Sequence, residues 1–127
     1  MAMDITDYEK KVKQLSSELV DIRKLSREFE IDIKYATEEN FLGKKIYPIP
    51  LCAMQRNTAL KLIEANKELM LRGLRIKIWD AYRPLSAQKL MWNVMPVHNF
   101  VADPDKGGSI HNSGYAVDVT LVDMEGR

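Results

Sequence analysis

The sequence lacks several features that would assign the chain to a specialised class of protein. It has one cysteine, Cys52, in 127 residues, so an internal disulfide is impossible. Its apolar runs are only a few residues long, whereas a transmembrane helix needs about 20. Neither charge sign dominates, since 19 Lys and Arg are matched by 18 Asp and Glu, which favours neither nucleic acid nor an anionic membrane. The first ten residues are polar and are not followed by the apolar core of a signal peptide. The chain is therefore expected to be soluble and cytoplasmic.

The composition and periodicity predict one small α+β domain over residues 1–127. With 46% hydrophobic residues, a chain of this length can bury one core but not two. The three- and four-residue spacing typical of helices and the alternation typical of strands predict these elements: an N-terminal helix within residues 1–18, strands 19–25 and 31–36, a loop 37–52, a helix 54–72 closed by Gly73, a strand 74–82, a helix from a Ser86 cap to Met95, a loop 98–108, a strand 115–122 and a turn 123–126. We expect a small mixed or antiparallel sheet flanked by helices, with strands 75–82 and 115–122 as neighbours.

The most informative segment is Ser109-Ile-His-Asn-Ser-Gly-Tyr-Ala-Val-Asp118. It places an imidazole and a carboxylate seven positions apart, across a turn in which Gly114 allows a tight change of direction. Histidine nitrogen and aspartate oxygen are both ordinary zinc ligands, and the turn can bring them to one ion. A surface histidine beside a strand-end aspartate is the simpler alternative. The pattern Ser-x-His-x-x-Gly-x-Ala-x-Asp nevertheless favours a metal site at His111 and Asp118.

A second segment, Trp79-Asp-Ala-Tyr-Arg-Pro84, ends the clearest predicted strand with an arginine. A guanidinium is always charged and presents paired N–H groups, which suit a developing oxyanion. Taken alone, a strand-end ion pair between Asp80 and Arg83 would be the better interpretation. Together with the first segment, a functional role for Arg83 becomes the favoured hypothesis.

Both segments resemble motifs of the zinc D-Ala-D-Ala dipeptidases, and the first is shared with related D-Ala carboxypeptidases. The resemblance is closest to dipeptidases of the vancomycin-resistance (VanX) type; it runs from Ile31 to Arg127 and leaves the helix of residues 1–18 outside. It implies that His111 and Asp118 bind Zn²⁺, that Arg83 stabilises the tetrahedral transition state, and that Ser109 holds the ammonium end of a dipeptide substrate. The implied activity is zinc-dependent hydrolysis of D-alanyl-D-alanine, in cell-wall precursor turnover or glycopeptide resistance.

The chain also departs from this family. The family's site is completed downstream by a glutamate general base and a histidine three positions later, and no Glu-x-x-His occurs in the sequence. Catalytic zinc ordinarily has three protein ligands, and the other histidine, His98, is expected to be a solvated loop residue. The chain is therefore expected to be the front part of an enzyme, inactive alone, which associates with a missing C-terminal segment or with itself.

Two other functions remain open at this point. A peptidoglycan D-Ala carboxypeptidase shares the His/Asp motif. A non-catalytic module on the same fold is compatible with the absent third ligand and general base. In each case neither nucleic acid nor membrane is expected as a partner, and Cys52 is expected to be a buried apolar thiol rather than a nucleophile.

Overall fold

The computed structural model describes residues 19–97 and 100–127. The strands are β1 Leu19–Asp21, β2 Glu30–Ile31, β3 Ala53–Gln55, β4 Leu74–Asp80 and β5 Asp118–Asp123. The α-helices are α1 Arg56–Met70 and α2 Leu85–Val94, and single 3₁₀ turns occur at Ile22–Lys24, Lys34–Ala36, Pro104–Lys106 and Ile110–Ser113. The helix predicted within residues 1–18 and the loop residue His98 lie outside the described residues.

The strands form two small sheets. In the three-stranded sheet, β4 lies between β2, which pairs with it in parallel, and β5, which pairs with it antiparallel. The second sheet is the antiparallel pair of β1 and β3. Helix α1 packs against β4. The predicted α+β class, with a small mixed sheet flanked by helices, is therefore confirmed, as is the pairing of β4 with β5.

Strand β4 ends at Asp80, two residues earlier than the alternation predicts. Beyond it the backbone bonds to other segments: the Tyr82 N–H donates to the Ala53 carbonyl at 2.7 Å, and the Arg83 N–H donates to the His111 carbonyl at 2.9 Å. Strand β5 pairs its first residue, Asp118, with Asp80. Residues 115–117 therefore have no partner on β4, which explains why β5 begins at residue 118 rather than 115.

Helix α1 and the turn after it follow the prediction closely. The helix begins at Arg56 rather than near residue 54, because residues 53–55 pair with β1. Gly73 has φ +75°, the left-handed conformation expected of a residue that follows a helix. Buried Asn66 accepts the Ile76 N–H at 2.8 Å and donates to the Glu28 carbonyl at 3.2 Å. This one amide ties α1 to β4 and to the loop before β2.

Two predicted strands are shorter than their alternation suggests. The first stops at Asp21, whose carboxylate accepts the Arg23 N–H at 3.0 Å and starts the turn Ile22–Lys24. The second pairs with β4 only at Glu30–Ile31. The Lys34–Ala36 part of the predicted strand 31–36 is a 3₁₀ turn. Alternation therefore overestimated the length of both strands.

Helix α2 begins two residues earlier than predicted. Its N-cap is Pro84 and Leu85 is its first residue, so Ser86 lies inside the first turn and is not the cap. Proline has a φ suited to this position and has no N–H to satisfy, which makes it compatible with a helix start. Within the described ranges, no helix is both long enough and apolar enough to cross a bilayer.

The core lies between the sheets and the helices. Its fully buried side chains include Ile22, Tyr47, Met54 and Ile78. Cys52 is also fully buried, and burial raises the pKa of its thiol to about 12. A thiol with this pKa remains protonated at neutral pH and is a poor nucleophile. The predicted burial of this thiol is confirmed.

Candidate metal centre

The turn that carries His111 is fixed by its own cap. His111 lies on the 3₁₀ turn Ile110–Ser113; the Ser109 hydroxyl accepts the His111 N–H at 3.2 Å, and the Asn112 side chain accepts the Ser109 N–H at 2.8 Å. The Asn112 amide also donates to the Arg83 carbonyl at 2.8 Å. Reciprocal bonds of this kind satisfy the donors of a helical turn. The histidine backbone is thereby attached to the end of β4.

Gly114 closes the same turn at a close approach to the other sheet. Its φ is +83°, and an added Cβ would lie 2.8 Å from Leu19 Cδ2. The Gln55 N–H donates to the Gly114 carbonyl at 2.9 Å. Both the left-handed backbone and the lack of space require glycine here. The tight turn predicted from the motif is therefore present.

Asp118 reaches the histidine from the first position of β5. It pairs with Asp80 next to the register shift of β4, and such irregularities re-aim side chains beside functional sites. Asp118 Oδ1 lies 3.3 Å from His111 Nε2. The two residues singled out in the sequence are thus brought together.

The protonation pattern of His111 is set by its other ring nitrogen. Nδ1 lies 2.8 Å from the Ala81 carbonyl oxygen, which can only accept, so Nδ1 carries the hydrogen. In neutral imidazole, Nε2 then presents its lone pair on the side of Asp118. Metal-binding histidines commonly have this arrangement, with the non-ligating N–H bonded to a backbone carbonyl.

The separation of these two atoms fits one zinc ion. Tetrahedral ligands at about 2.0–2.2 Å from zinc stand roughly 3.3–3.6 Å apart. The observed 3.3 Å between Nε2 and Oδ1 falls in that range. The donor set, one imidazole nitrogen and one carboxylate oxygen, is also of the type that zinc binds.

The pKa values of the pair are shifted in opposite directions. Burial lowers the pKa of His111, but the hydrogen bond to Asp118, the bond to the Ala81 carbonyl and the charge of Asp80 outweigh it, so the net shift is upward. The hydrogen bond to His111 lowers the pKa of Asp118 against the effect of its partial burial. Without a metal, the two side chains therefore favour an imidazolium–carboxylate pair.

Arg83 is buried beside this pair, within a polar network. Its Nη2 donates to Asp80 Oδ2 at 2.7 Å, its Nη1 to Gln88 Oε1 at 2.8 Å, and its Nε to the Tyr47 hydroxyl at 3.3 Å. The guanidinium also lies over the Tyr35 ring, 5.4 Å from its centroid. Burial lowers the pKa of Arg83, but the Asp80 charge more than offsets this, so the guanidinium stays charged. The ion pair considered from the sequence is present, and it leaves two of the five N–H groups for another acceptor.

Asp80 links the two parts of the site. Its Oδ2 bonds Arg83 and lies 3.9 Å from His111 Nδ1, while its Oδ1 accepts the Tyr47 hydroxyl at 2.7 Å and the Ala81 N–H at 3.0 Å. Burial raises the pKa of this carboxyl, and Arg83 and Tyr47 oppose the shift. Asp80 forms a compact acidic and imidazole cluster with His111 and Asp118. Because both its oxygens are already engaged and the nearer ring nitrogen is protonated, we assign it to the support of the site rather than to the metal.

An open cavity of about 670 Å³ adjoins Asp118. Its walls are Lys34, Tyr35, Glu39, Asn40, Phe41, Trp79, Asp80, Val117, Asp118 and Val119. It is large enough to admit a small peptide. Arg83 and Ser109 do not belong to its lining among the described residues, and the Ser109 hydroxyl is engaged with the His111 backbone.

Two participants were not found from the sequence. Tyr47 comes from the long loop before β3, and Gln88 comes from the buried face of α2. No motif marked either one. A glutamine among the apolar positions of a short helix is the only signal that could have pointed to Gln88, because a buried amide requires partners.

The chain matches known proteins over most of its length. A family model described as D-ala-D-ala dipeptidase matches residues 15–127. A protein of Escherichia coli (strain K12) named D-alanyl-D-alanine dipeptidase is 36% identical over 112 residues, covering 88% of this chain and 58% of that protein. Proteins of the same name from Enterococcus faecalis (strain ATCC 700802 / V583) and Enterococcus faecium are 31% and 28% identical, each covering 74% of this chain and 56% of the relative. The chain thus spans about half the length of the curated relatives it matches.

Proposed function

This chain belongs to the D-Ala-D-Ala dipeptidase family, and we propose that it provides zinc ligands and an oxyanion donor for the hydrolysis of D-alanyl-D-alanine. The observation that carries the proposal is the 3.3 Å approach of His111 Nε2 to Asp118 Oδ1, with Nδ1 held by a backbone carbonyl. A simple surface ion pair would not require the imidazole to be oriented by a third group.

The proposed roles follow from the chemistry of each side chain. His111 and Asp118 would hold Zn²⁺, which when bound polarises a carbonyl and lowers the pKa of a water molecule. Arg83 would donate its remaining N–H groups to the carbonyl oxygen as negative charge develops there. Ser109, placed at the start of the His111 turn, would lie near the ammonium end of the dipeptide. The cavity beside Asp118 would accommodate the alanine side chains.

The Glu-x-x-His pattern that the resemblance calls for does not occur in the 127 residues. A third ligand and a glutamate to accept the proton of water are both needed for efficient turnover. We therefore propose turnover for a polypeptide that joins these residues to such a Glu and His, and not for residues 1–127 alone. The names of the relatives favour a dipeptidase over a carboxypeptidase. The setting we propose is cytoplasmic turnover of the cell-wall precursor dipeptide.

Substrate recognition can be tested on the chain itself. We expect D-Ala-D-Ala, added to the zinc-loaded ¹⁵N-labelled chain, to shift the NMR signals of Asp118, His111 and the cavity wall. L-Ala-L-Ala at the same concentration is the matched control, because it differs only in stereochemistry. Equal responses to the two dipeptides, or shifts confined to other surfaces, would reject the proposed substrate. In a polypeptide with the complete ligand set, turnover should be abolished by H111A.

A further inference from the structure

Gln88 is buried, and both the oxygen and the nitrogen of its side-chain amide are hydrogen-bonded. It is fully buried on α2, where an apolar side chain of similar size would cost less to desolvate. Its Oε1 accepts Arg83 Nη1 at 2.8 Å, and its Nε2 donates to the Ala102 carbonyl at 2.8 Å. The amide therefore joins the guanidinium to a backbone carbonyl of the loop that follows α2. Because the Ala102 carbonyl can only accept, the amide nitrogen must face it, and the amide oxygen is held facing Arg83.

Tyr47 constrains the same guanidinium from the opposite direction. Its hydroxyl accepts Arg83 Nε and donates to Asp80 Oδ1 at 2.7 Å, and its ring is fully buried. Its backbone N–H donates to the Tyr35 carbonyl at 2.8 Å. Each of the three guanidinium nitrogens thus has a different acceptor, supplied by the loop before β3, the end of β4 and helix α2. Three acceptors in different directions leave a planar group with one orientation.

We propose that Gln88 and Tyr47 are positioning residues that hold the Arg83 guanidinium in one orientation beside the His111–Asp118 pair. This rests on the proposed function, in which the remaining Arg83 N–H groups meet the oxyanion. Neither residue lines the cavity in the part of the chain that the structure describes. Their contribution to the reaction is therefore indirect. With Asp80 as its only partner, the guanidinium could rotate about a single ion pair. The hydrogen bonds to Gln88 and Tyr47 restrict that rotation.

The orientation of Arg83 can be measured without turnover. In the ¹⁵N-labelled 127-residue chain, we expect separately resolved Arg83 Nη hydrogens, because hydrogen bonds slow rotation of the guanidinium. Q88M keeps the volume of the side chain but removes the acceptor, so rotation should speed up by about 10-fold or more. Q88E loses the donor to the Ala102 carbonyl but keeps an acceptor for Arg83 Nη1, now a charged one, and should therefore keep rotation slow. Y47F should release the Nε hydrogen to faster solvent exchange.

A matched control separates positioning from general destabilisation. Asn66→Leu removes another buried amide, which bonds the backbone of β4 away from Asp80. It should lower the melting temperature at least as much as Q88M while leaving the Arg83 signals unchanged. Slow rotation that persists in Q88M, or faster rotation in Asn66→Leu, would overturn the proposal. Should Q88M not fold, Y47F carries the test: exchange of the Arg83 Nε hydrogen that is no faster in Y47F than in the parent would overturn the proposal.

A second experiment tests whether the orientation of the Arg83 guanidinium affects the rate of hydrolysis. In a polypeptide that hydrolyses D-Ala-D-Ala, Q88M should lower kcat by about 10–100-fold, the cost of a small misplacement of a reacting group, with little change in KM. The zinc affinity of the 127-residue Q88M chain should stay within about 2-fold of the parent, because the Gln88 side chain bonds Arg83 and the Ala102 carbonyl rather than a proposed ligand. Unchanged kcat, or loss of zinc in step with kcat, would contradict a positioning role. Absence of any zinc binding by the parent chain would instead count against the proposed function and leave the NMR result standing.

Discussion

The Arg83 network and the His111–Asp118 pair lie at the same end of β4 but are built differently. In the network, the side chains of Asp80 and Arg83 are 1% and 7% exposed, and every guanidinium nitrogen has an acceptor. In the pair, the side chain of Asp118 is 52% exposed and meets its partner at the edge of an open cavity. The difference suggests a division of roles: the network holds the end of the strand in place, and the pair stays accessible to a ligand.

The largest effect should come from removing the acidic member of the network. Asp80→Ala leaves the Arg83 guanidinium buried without its counter-charge, which we expect to lower the free energy of unfolding by about 3–5 kcal/mol. Urea denaturation followed by circular dichroism measures this. The matched control is Asp118→Ala, which removes the exposed carboxylate of the pair and should cost only about 0–1 kcal/mol. Comparable losses of unfolding free energy in the two variants would show that the Arg83 network is no more important for stability than the His111–Asp118 pair.

Zinc binding, by contrast, should depend on the His111–Asp118 pair. His111→Ala removes a proposed ligand, and we expect zinc affinity to fall by more than the roughly 10–100-fold seen when only a supporting residue is lost. Isothermal titration of the zinc-free chain gives the comparison. His98→Ala is the matched control, since His98 is the chain's other histidine and has no counterpart in the resemblance. A larger loss in His98→Ala than in His111→Ala would place the metal elsewhere.

The pair should also make zinc binding depend on pH. Zinc requires neutral imidazole, so protons compete with the metal as pH falls through the pKa of His111. Despite burial, the bond to Asp118 holds that pKa above its usual value of about 6.5, and competition should therefore begin above pH 6.5. An NMR titration of the His111 ring in the zinc-free chain tests this. Asp118→Asn should move the midpoint downward, and an unchanged midpoint would mean that the carboxylate does not act on the ring.

The smallest effect concerns the edge of the sheet beside the pair. Among the described residues β5 lies at the edge of its sheet, with Val119 and Leu121 exposed by 39% and 48%. Exposed apolar edges recruit other strands, so we expect weak self-association that Leu121→Lys reduces. Sedimentation at several concentrations measures it. Leu60→Lys on α1, where the leucine is equally exposed at 48%, is the matched control and should leave association unchanged.

The sequence predicted the pair better than it predicted the network. Ser109 to Asp118 form one continuous motif, so a local turn and one strand are enough to place His111 against Asp118. Arg83 and Asp80 were also visible in one segment. Tyr47 and Gln88 come from distant loop and helix positions, and only the tertiary fold brings their side chains to the guanidinium. Local spacing carries no information about such contacts.

The fold shows the same division between local and distant information. Helix α1 and the strand β4 were predicted because their periodicity and the glycine between them are local signals. The extent of strands β2 and β5 was overestimated, because a strand continues only as far as its neighbour on β4 can pair with it. The β2–β4 pairing stops at Ile31↔Ile78, and the β4–β5 pairing has a register shift between Ile78 and Asp80; alternation in the sequence reveals neither.

The most direct test of the account is X-ray absorption spectroscopy of the zinc-loaded chain. We predict a coordination shell with one imidazole nitrogen at about 2.0–2.1 Å and otherwise oxygen ligands, with the imidazole contribution lost in His111→Ala. A sulfur scatterer at about 2.3 Å would assign the metal to Cys52. Two imidazoles would require His98. Either spectrum, or an imidazole signal that survives in His111→Ala, would contradict the assignment of His111 and Asp118 as the zinc ligands.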